Sequence, residues 1–493
     1  MQKLATAFGA ATILFASATA AMSERTDLVL GVTLEPPHLD PTAGAAAAID
    51  EIVYANIFEG LTRIGPNGQV LPALAERWQV SDDGKVYTFH LREGVTFHDG
   101  TTFDAEDVKF SLERAMSEES TNAQKVLFSA IESVEVADPV TVRVTLAHPQ
   151  GSFLYNMGWG DAVIVAPETA DHNREHPVGT GPYRFEKWAR GSSLTIVRNA
   201  DYWGAPAALE KAVFRFIPDT AAAVTALLSG DVHAFPNLQA GDALPQIQAD
   251  PRFEVVIGAT EGETILAINN GKKPFDELKV RQAISHALDR EEIILGASSG
   301  NGVPIGSHFS PANEAYVDLT GSYPHDVEAA RTLLGEAGYP DGFSATLKLP
   351  PTDYARLGGE IVASQLREAG IELEIIPMEW AQWLEQVFTN KEYDLSIISH
   401  TEPNDINIYA RDDYYFNYDN PEFDDVMAKL EVTTEPEERQ ELYRRAQQIL
   451  AEDAVNGFLF QLPKTGVWDA RLEGLWENAP IQANDLTEVR WAE

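Results

Sequence analysis

No cysteine occurs anywhere in the 493 residues. That excludes a thiolate metal site, a disulfide framework and a lipid-modified N-terminal cysteine. Basic residues are scarce: 36 Lys and Arg against 76 Asp and Glu leave a net charge of −40. Such a balance argues against nucleic acid or an anionic membrane as partner. Most of those carboxylates belong on a solvated surface, and the excess mildly favours neutral or cationic ligands. Beyond the N-terminus no apolar run approaches the ~20 residues that a spanning helix needs. Neither HExxH nor GxxxxGK(S/T) is present, and no repeat or low-complexity tract appears.

What the chain does have begins with Lys3, an apolar run over 4–15 and the small-residue string Ala18-Thr19-Ala20. This pattern predicts a secretory signal peptide over residues 1–20. An exported, cysteine-free chain without a lipid anchor is expected to diffuse freely in a Gram-negative periplasm. Its length exceeds one compact core, so two or three domains are expected.

The segment PVGTGPYRFEKWARGSSLTIVRNADYWG (177–204) organises the rest. Gly179, Gly181 and Pro182 punctuate the backbone, and two β-type runs at 183–188 and 194–198 flank the turn signal Arg190-Gly191. Before it, Asp82-Asp83-Gly84 marks a hairpin, with Tyr87, Phe89 and Leu91 alternating along the next strand. Asp104 is placed to cap a helix whose Val108, Leu112 and Ala115 share a face. Ile49, Ile52, Val53 and Ile57 predict a helix over 45–60. Val280, Ala283, Ile284, Ala287 and Leu288 form a core-facing stripe. Later, helices expected over 357–369 and 380–388 alternate with strands over 371–376 and 393–399, the signature of a crossover α/β lobe.

Several strings resemble the family 5 extracellular solute-binding proteins, the peptide- and nickel-binding receptors of ABC importers. They are the anchor segment, HLDPT (38–42), Ala55-Asn56 with Phe58–Leu61, most of 65–116, LLSGDVHAF (227–235), the run 263–295, and YDNPEFD (418–424). The resemblance covers nearly the whole mature chain, with His233 standing where the family has an acid. It implies a two-lobed α/β periplasmic binding protein of type II, class C-like, with an extra small β-rich subdomain. Lobe I is expected over 24–62, 178–262 and 466–493, the subdomain over 63–177, and lobe II over 263–465. The implied function is capture of a short peptide or related zwitterion, such as an opine, between closing lobes, followed by delivery to inner-membrane permease subunits. Metal chelate or oligosaccharide ligands are the alternatives within the family. The chain is expected to act as a monomer, without cofactor, metal or catalysis.

A competing hypothesis comes from Gly296-Ala297-Ser298-Ser299-Gly300, which has the form of a hydrolase nucleophile elbow with Ser298 as nucleophile. That elbow needs a strand before the serine and a helix after it, whereas a helix precedes this one. His90 with His98, and His172 with His176, lack a third metal ligand at a sensible spacing. Asp82/Asp83 and Asp412/Asp413 lack the calcium-loop pattern.

The stretch 397–424 bears most on the ligand, because it begins at a strand's carboxyl end, where open α/β lobes bind ligands. In peptide-binding relatives an Asp in this loop pairs with the ligand amine, which the resemblance transfers to Asp405, with Glu402 as runner-up. His400 occupies the strand end where the family commonly has Trp. A buried ammonium needs a carboxylate and benefits from aromatic walls. Trp380, by resemblance, leads the candidates for those walls, followed by Trp383, Tyr409 and Tyr415; each also suits a core role. Arg356 and Arg411 could fork onto a ligand carboxylate or serve the surface. Trp159, in NMGWGDA (156–162), is placed to reach the cleft from the subdomain side.

Overall fold

The computed structural model describes residues 25–492 apart from 45, 239, 403 and 404; the expected signal peptide lies outside them. An 11-stranded sheet runs through the molecule. Its order is Ile371–Pro377, Phe343–Leu349, Leu395–His400, Phe253–Ile268, Gly457–Asp469, Ala234–Phe235, Asp27–Val32, Lys211–Phe216, Ser193–Arg198 and Tyr183–Ala189, with Val303–Pro304 alongside Gly457–Asp469. The parallel pair Phe343–Leu349 and Ile371–Pro377 is joined by the helix Asp353–Ala369, the crossover that helix–strand alternation predicts. Helical residues cover both faces at this end. Val280, Ile284, Val362 and Leu366 pack on one side, and Tyr409, Phe423 and Ile449 on the other. At the opposite end Leu28, Leu30, Ile196 and Phe214 build a separate core.

The two ends are tied by Phe253–Ile268 and Gly457–Asp469, which pair antiparallel along their length. The register is irregular between Ala259 and Glu263. The changes of lobe expected at 262/263 and 465/466 fall inside these continuous strands.

A second sheet orders Ala75–Val80, Val86–Leu91, Thr141–Leu146 and Ile131–Asp138. Its hairpin turns at Gly84, with φ of 67°. The helix Ala105–Met116 packs on it through Val108, Leu112 and Ala115, and starts with a capping box made by Asp104 and Asp107. The segment that follows Thr141–Leu146 touches the helical face around Phe423 and Ile449: Gly151 N donates to Glu431 O at 3.2 Å. Arg439 Nη1, held by Leu430 O and Thr433 O at 2.9 Å each, lies directly against that glycine.

The anchor segment forms the expected hairpin, turning at Gly191 with φ of 72°. A Cβ on Gly179 would stand 2.0 Å from Ile57 O, so only glycine lets these backbones meet. Glu59 fastens the junction. Its Oε1 accepts from Tyr202 OH at 2.9 Å, and its Oε2 from Trp203 Nε1 at 2.9 Å and Thr180 Oγ1 at 2.8 Å. The helix expected over 45–60 is shorter, Ala47–Val53. Asn56 ends it by donating to Ile52 O and Asn484 O and accepting from Leu486 N, ties that draw the chain out of helical geometry. Around Trp380, one α-helical turn, Trp380–Trp383, passes into the π-helical Leu384–Thr389.

Asp50 Oδ1 and Asp161 Oδ1 are buried without hydrogen-bond partners. Burial pushes Asp161 up to about 7, and burial with the Asp161 charge pushes Asp50 well above the carboxylate range. Between the unfolded value near ~4 and about 7 the folded chain binds more protons, so stability falls as pH rises and this contribution is gone above 7. Asp161→Asn should therefore gain on the wild type between pH 4 and 7, by up to ~1.4 kcal/mol per pH unit, and run parallel to it above that. Thermal unfolding of both proteins measures it, and curves parallel throughout would refute it.

Candidate functional site

The strand Leu395–His400 ends beside Phe253–Ile268 in a register that sets His400 opposite Glu263. Cross-strand partners project from the same face, so an imidazole and a carboxyl stand together at the sheet's edge. The chain then turns into the 3₁₀ segment Asp405–Ala410, which brings Asp405 back over them. His308 arrives from the loop after Val303–Pro304, a strand held in register opposite Gln461 and Phe460.

A continuous network results. Asn456 Nδ2 donates to Tyr409 OH at 3.1 Å, and Tyr409 OH is 3.1 Å from His308 Nδ1. His308 Nε2 meets Asp405 Oδ1 at 2.7 Å. Donation from Nε2–H to the carboxylate leaves Nδ1 to accept from the tyrosine. His400 meets two tyrosine hydroxyls, Tyr415 OH 3.0 Å from Nε2 and Tyr414 OH 3.5 Å from Nδ1, with Asp405 Oδ2 3.8 Å from Nδ1. Burial pushes the His400 imidazole down to about 4. Glu263 Oε2, 4.0 Å from His308 Nε2, has no hydrogen-bond partner, and its side chain is 2% exposed. Burial, with Asp405 and Glu261 adding their charges, pushes Glu263 well above the usual range. Burial likewise brings Glu261, which accepts from Asn313 Nδ2 at 3.0 Å, up to about 7.

Of the residues singled out in the sequence, Asp405, His400, Tyr409 and Tyr415 meet here, and Glu402 joins His400 and Asp405 from the exposed side. Tyr409, Tyr415 and Trp383 are 2%, 1% and 3% exposed. They are therefore built into the packing and do not stand as open walls, and Trp383 Nε1 donates to Ser396 Oγ at 2.9 Å. Trp380 remains exposed, edge-on to Trp383 at 5.8 Å. Neither arginine reaches the network: Arg356 faces Glu379 at 3.7 Å, and Arg411 faces Asp413 at 3.5 Å while lying over the Tyr414 ring. Trp159 is half-buried at the head of the short turn Gly160–Ala162.

Sequence reasoning passed over His308, Glu263 and Glu261. The histidines brought together are 308 and 400, not the pairs close in sequence, since their proximity comes from strand pairing. His98 instead serves the anchor turn, bonding Gly181 O and Gly179 N. His233 accepts from Val29 N through Nδ1 and packs against Trp491, a structural role. The Gly296–Gly300 string does not form a strand–turn–helix elbow, in line with the helix expected before it. Ser298 ends the helix Arg290–Ser298, and its hydroxyl donates to Ile294 O and Asn301 O.

Among the described residues no helix is long and apolar enough to cross a membrane. A sequence profile of the middle region of bacterial extracellular solute-binding proteins, family 5, matches residues 69–422. The glutathione-binding protein GsiB of Salmonella paratyphi A is 30% identical over 452 residues, 87% of each chain. Heme-binding protein A of Haemophilus influenzae is 31% identical over 435 residues, 78% of this chain and 77% of its own. In three dimensions the chain is similar to the periplasmic binding protein DppA of Helicobacter pylori in complex with the peptide STSA. The TM-score is 0.80 at 26% identity, covering 95% of this chain and 99% of that one. With a two-lobed α/β architecture and a match that spans most of its length, the chain belongs to the bacterial extracellular solute-binding proteins of family 5.

Proposed function

We propose that this protein serves an ABC importer in the periplasm, capturing a short peptide or related amino-acid derivative by its ammonium group and handing it to the permease. Residues 1–20 act as the export signal, and the mature chain works as a monomer. One observation carries the choice of ligand. Glu261, Glu263, Glu402 and Asp405 gather at one place, and among the described residues none of them pairs with lysine or arginine. Carboxylates enclosed as Glu261, Glu263 and Asp405 are, and left without a cation, cost several kcal/mol, on the order of what a ligand ammonium restores. Asp405 is 14% exposed at its side chain, open enough to meet such a group. The GsiB and DppA relatives, named or solved with glutathione and a peptide, take ligands that carry an amino group.

Mass spectrometry of the purified protein, native and then denatured, should release an amine-bearing mass. Asp405→Asn should weaken that ligand at least tenfold in calorimetry, about 1.4 kcal/mol. Unchanged affinity in a folded variant would remove Asp405 from the role.

A further inference from the structure

We propose that Trp476–Ala479 is a strap across the two strands that join the lobes, fixing the pivot of lobe movement at Thr260–Gly262, with Lys464 as its positioning residue. The pivot follows from the strand register. Gly258 and Ala259 pair with Lys464 and Pro463, and pairing resumes only at Glu263 with Gln461. Three residues of one strand therefore face Leu462 alone, a bulge that interrupts the ladder and lets the strand bend. A single hydroxyl bridges the gap: Thr260 Oγ1 donates to Leu462 O at 2.6 Å and accepts from Gly262 N at 2.9 Å.

The strap fastens both strands just before that bulge. Pro463, opposite Ala259, has no N–H to offer, and Ala479 N donates to Ala259 O instead, at 2.8 Å. Ala259 N donates to Asn478 Oδ1 at 2.9 Å. A Cβ on Gly258 would stand 1.8 Å from Glu477 O, so the strap's backbone lies directly on this strand. From the partner strand Lys464, opposite Gly258, sends Nζ to Trp476 O at 2.5 Å and Asn478 O at 3.4 Å. The strap is itself anchored: Trp476 packs with Tyr54 and Ala483, and Asn484 Nδ2 donates to Glu51 O at 2.9 Å. With 258–259 and 463–464 held to that end, Thr260–Gly262 are the first residues left to bend.

Lys464 is 4% exposed, and its charge rests on carbonyl oxygens. Bonds from an ammonium are roughly twice as strong as those from a neutral amine. Burial brings Lys464 down to about 8, against Glu477 on the strap and Glu51 on the helix Ala47–Val53, the charged groups that face it. Burial raises Glu51 to about 7, so above that pH it is charged and lysine is the group that changes. The strap is therefore tightest while Lys464 keeps its proton and slackens as pH rises through 8. Glu261 projects from the bulge, so a ligand cation drawn to it acts on the pivot directly; that clause alone rests on the proposed function.

The test uses the full mature chain without ligand. Because the chain has no cysteine, Ala221→Cys and Ser364→Cys place two spin labels at exposed positions, one on each side of the bulge. Pulsed EPR should give a narrow distance distribution at pH 7 that broadens on the way to pH 9.5, with a midpoint at about 8. Lys464→Met should be broad at both ends of that range, and Lys464→Arg, charged throughout, narrow at both. Hydrogen exchange at Ala479 should run about tenfold faster in Lys464→Met, with the strand Val86–Leu91 unchanged. A wild-type distribution that ignores pH, or a Lys464→Met variant that responds to pH as the wild type does, overturns the proposal. The wild-type titration decides even if a variant fails to fold. No ligand is added, so failure here leaves the amine reading standing, and failure of that reading leaves the strap.

Discussion

Replacing Glu59 by alanine should lower the stability of the folded chain by about 3–5 kcal/mol. Its carboxylate accepts three hydrogen bonds, from Tyr202, Trp203 and Thr180, in a setting where the residue is 7% exposed. Removal strands three donors in an interior, each costing roughly 1–3 kcal/mol, and opens a void beside the Gly179–Gly181 approach. Burial raises the carboxyl's pKa, and the bonds from Trp203, Thr180 and Tyr202 offset only part of that rise. Glu59→Gln should cost less, because it keeps the volume and one oxygen. Thermal and urea unfolding of both variants would decide it. An alanine variant as stable as wild type would mean that water replaces the carboxylate freely.

The second large effect is on binding. Gly151→Val should weaken ligand capture by tenfold or more, about 1.4 kcal/mol, while the melting temperature of the ligand-free protein stays close to wild type. A Cβ at this position would stand 1.8 Å from Arg439 Nη1 and 2.4 Å from Thr433 O. The guanidinium can move; the backbone oxygen of Thr433 cannot without shifting its turn. The bulk thus pushes the four-stranded sheet off the helices Pro421–Val432 and Pro436–Glu452. A ligand that prefers the conformation with this contact then has to offset the repulsion. X-ray scattering should show the variant more open with ligand present. Unchanged affinity would mean the contact is incidental to capture.

Much of the scaffold could be read from residue order, because its causes are local. Asp104 three places before Asp107 announces a capped helix start, Gly191 a positive-φ turn, and Gly370, with φ of 104°, a helix end. The stripe Val280, Ala283, Ile284 and Ala287 is buried as its spacing requires. Asp405 and His400 could be picked out because His400 ends one strand and Asp405 follows it. Their companions could not. Glu263 reaches His400 through antiparallel register, and His308 through a two-residue strand, and neither pairing leaves a period in the sequence. Trp383 and Tyr415 show the converse limit. An aromatic near a strand end reads the same whether it lines a cavity or fills a core, and only three-dimensional packing separates the two. The widened turn at Leu384–Thr389 is equally silent, since residues suited to α and π turns do not differ in pattern.

Strand Asp27–Val32 has a consequence for how the chain assembles. Its neighbours are Lys211–Phe216 and Ala234, and Ala234 in turn needs Trp468. Trp491 Nε1 closes onto Asp27 O across 464 residues, and Leu486 N onto Asn56 across 430. The earliest part of the described chain to leave the ribosome thus waits for the latest. Closure of this end of the sheet therefore awaits the C-terminal residues, and contacts over such separations make that step slow. Until residues 486–491 arrive, Asp27 and Asn56 lack these fastenings, whereas the four-stranded sheet within 75–146 has all of its own partners.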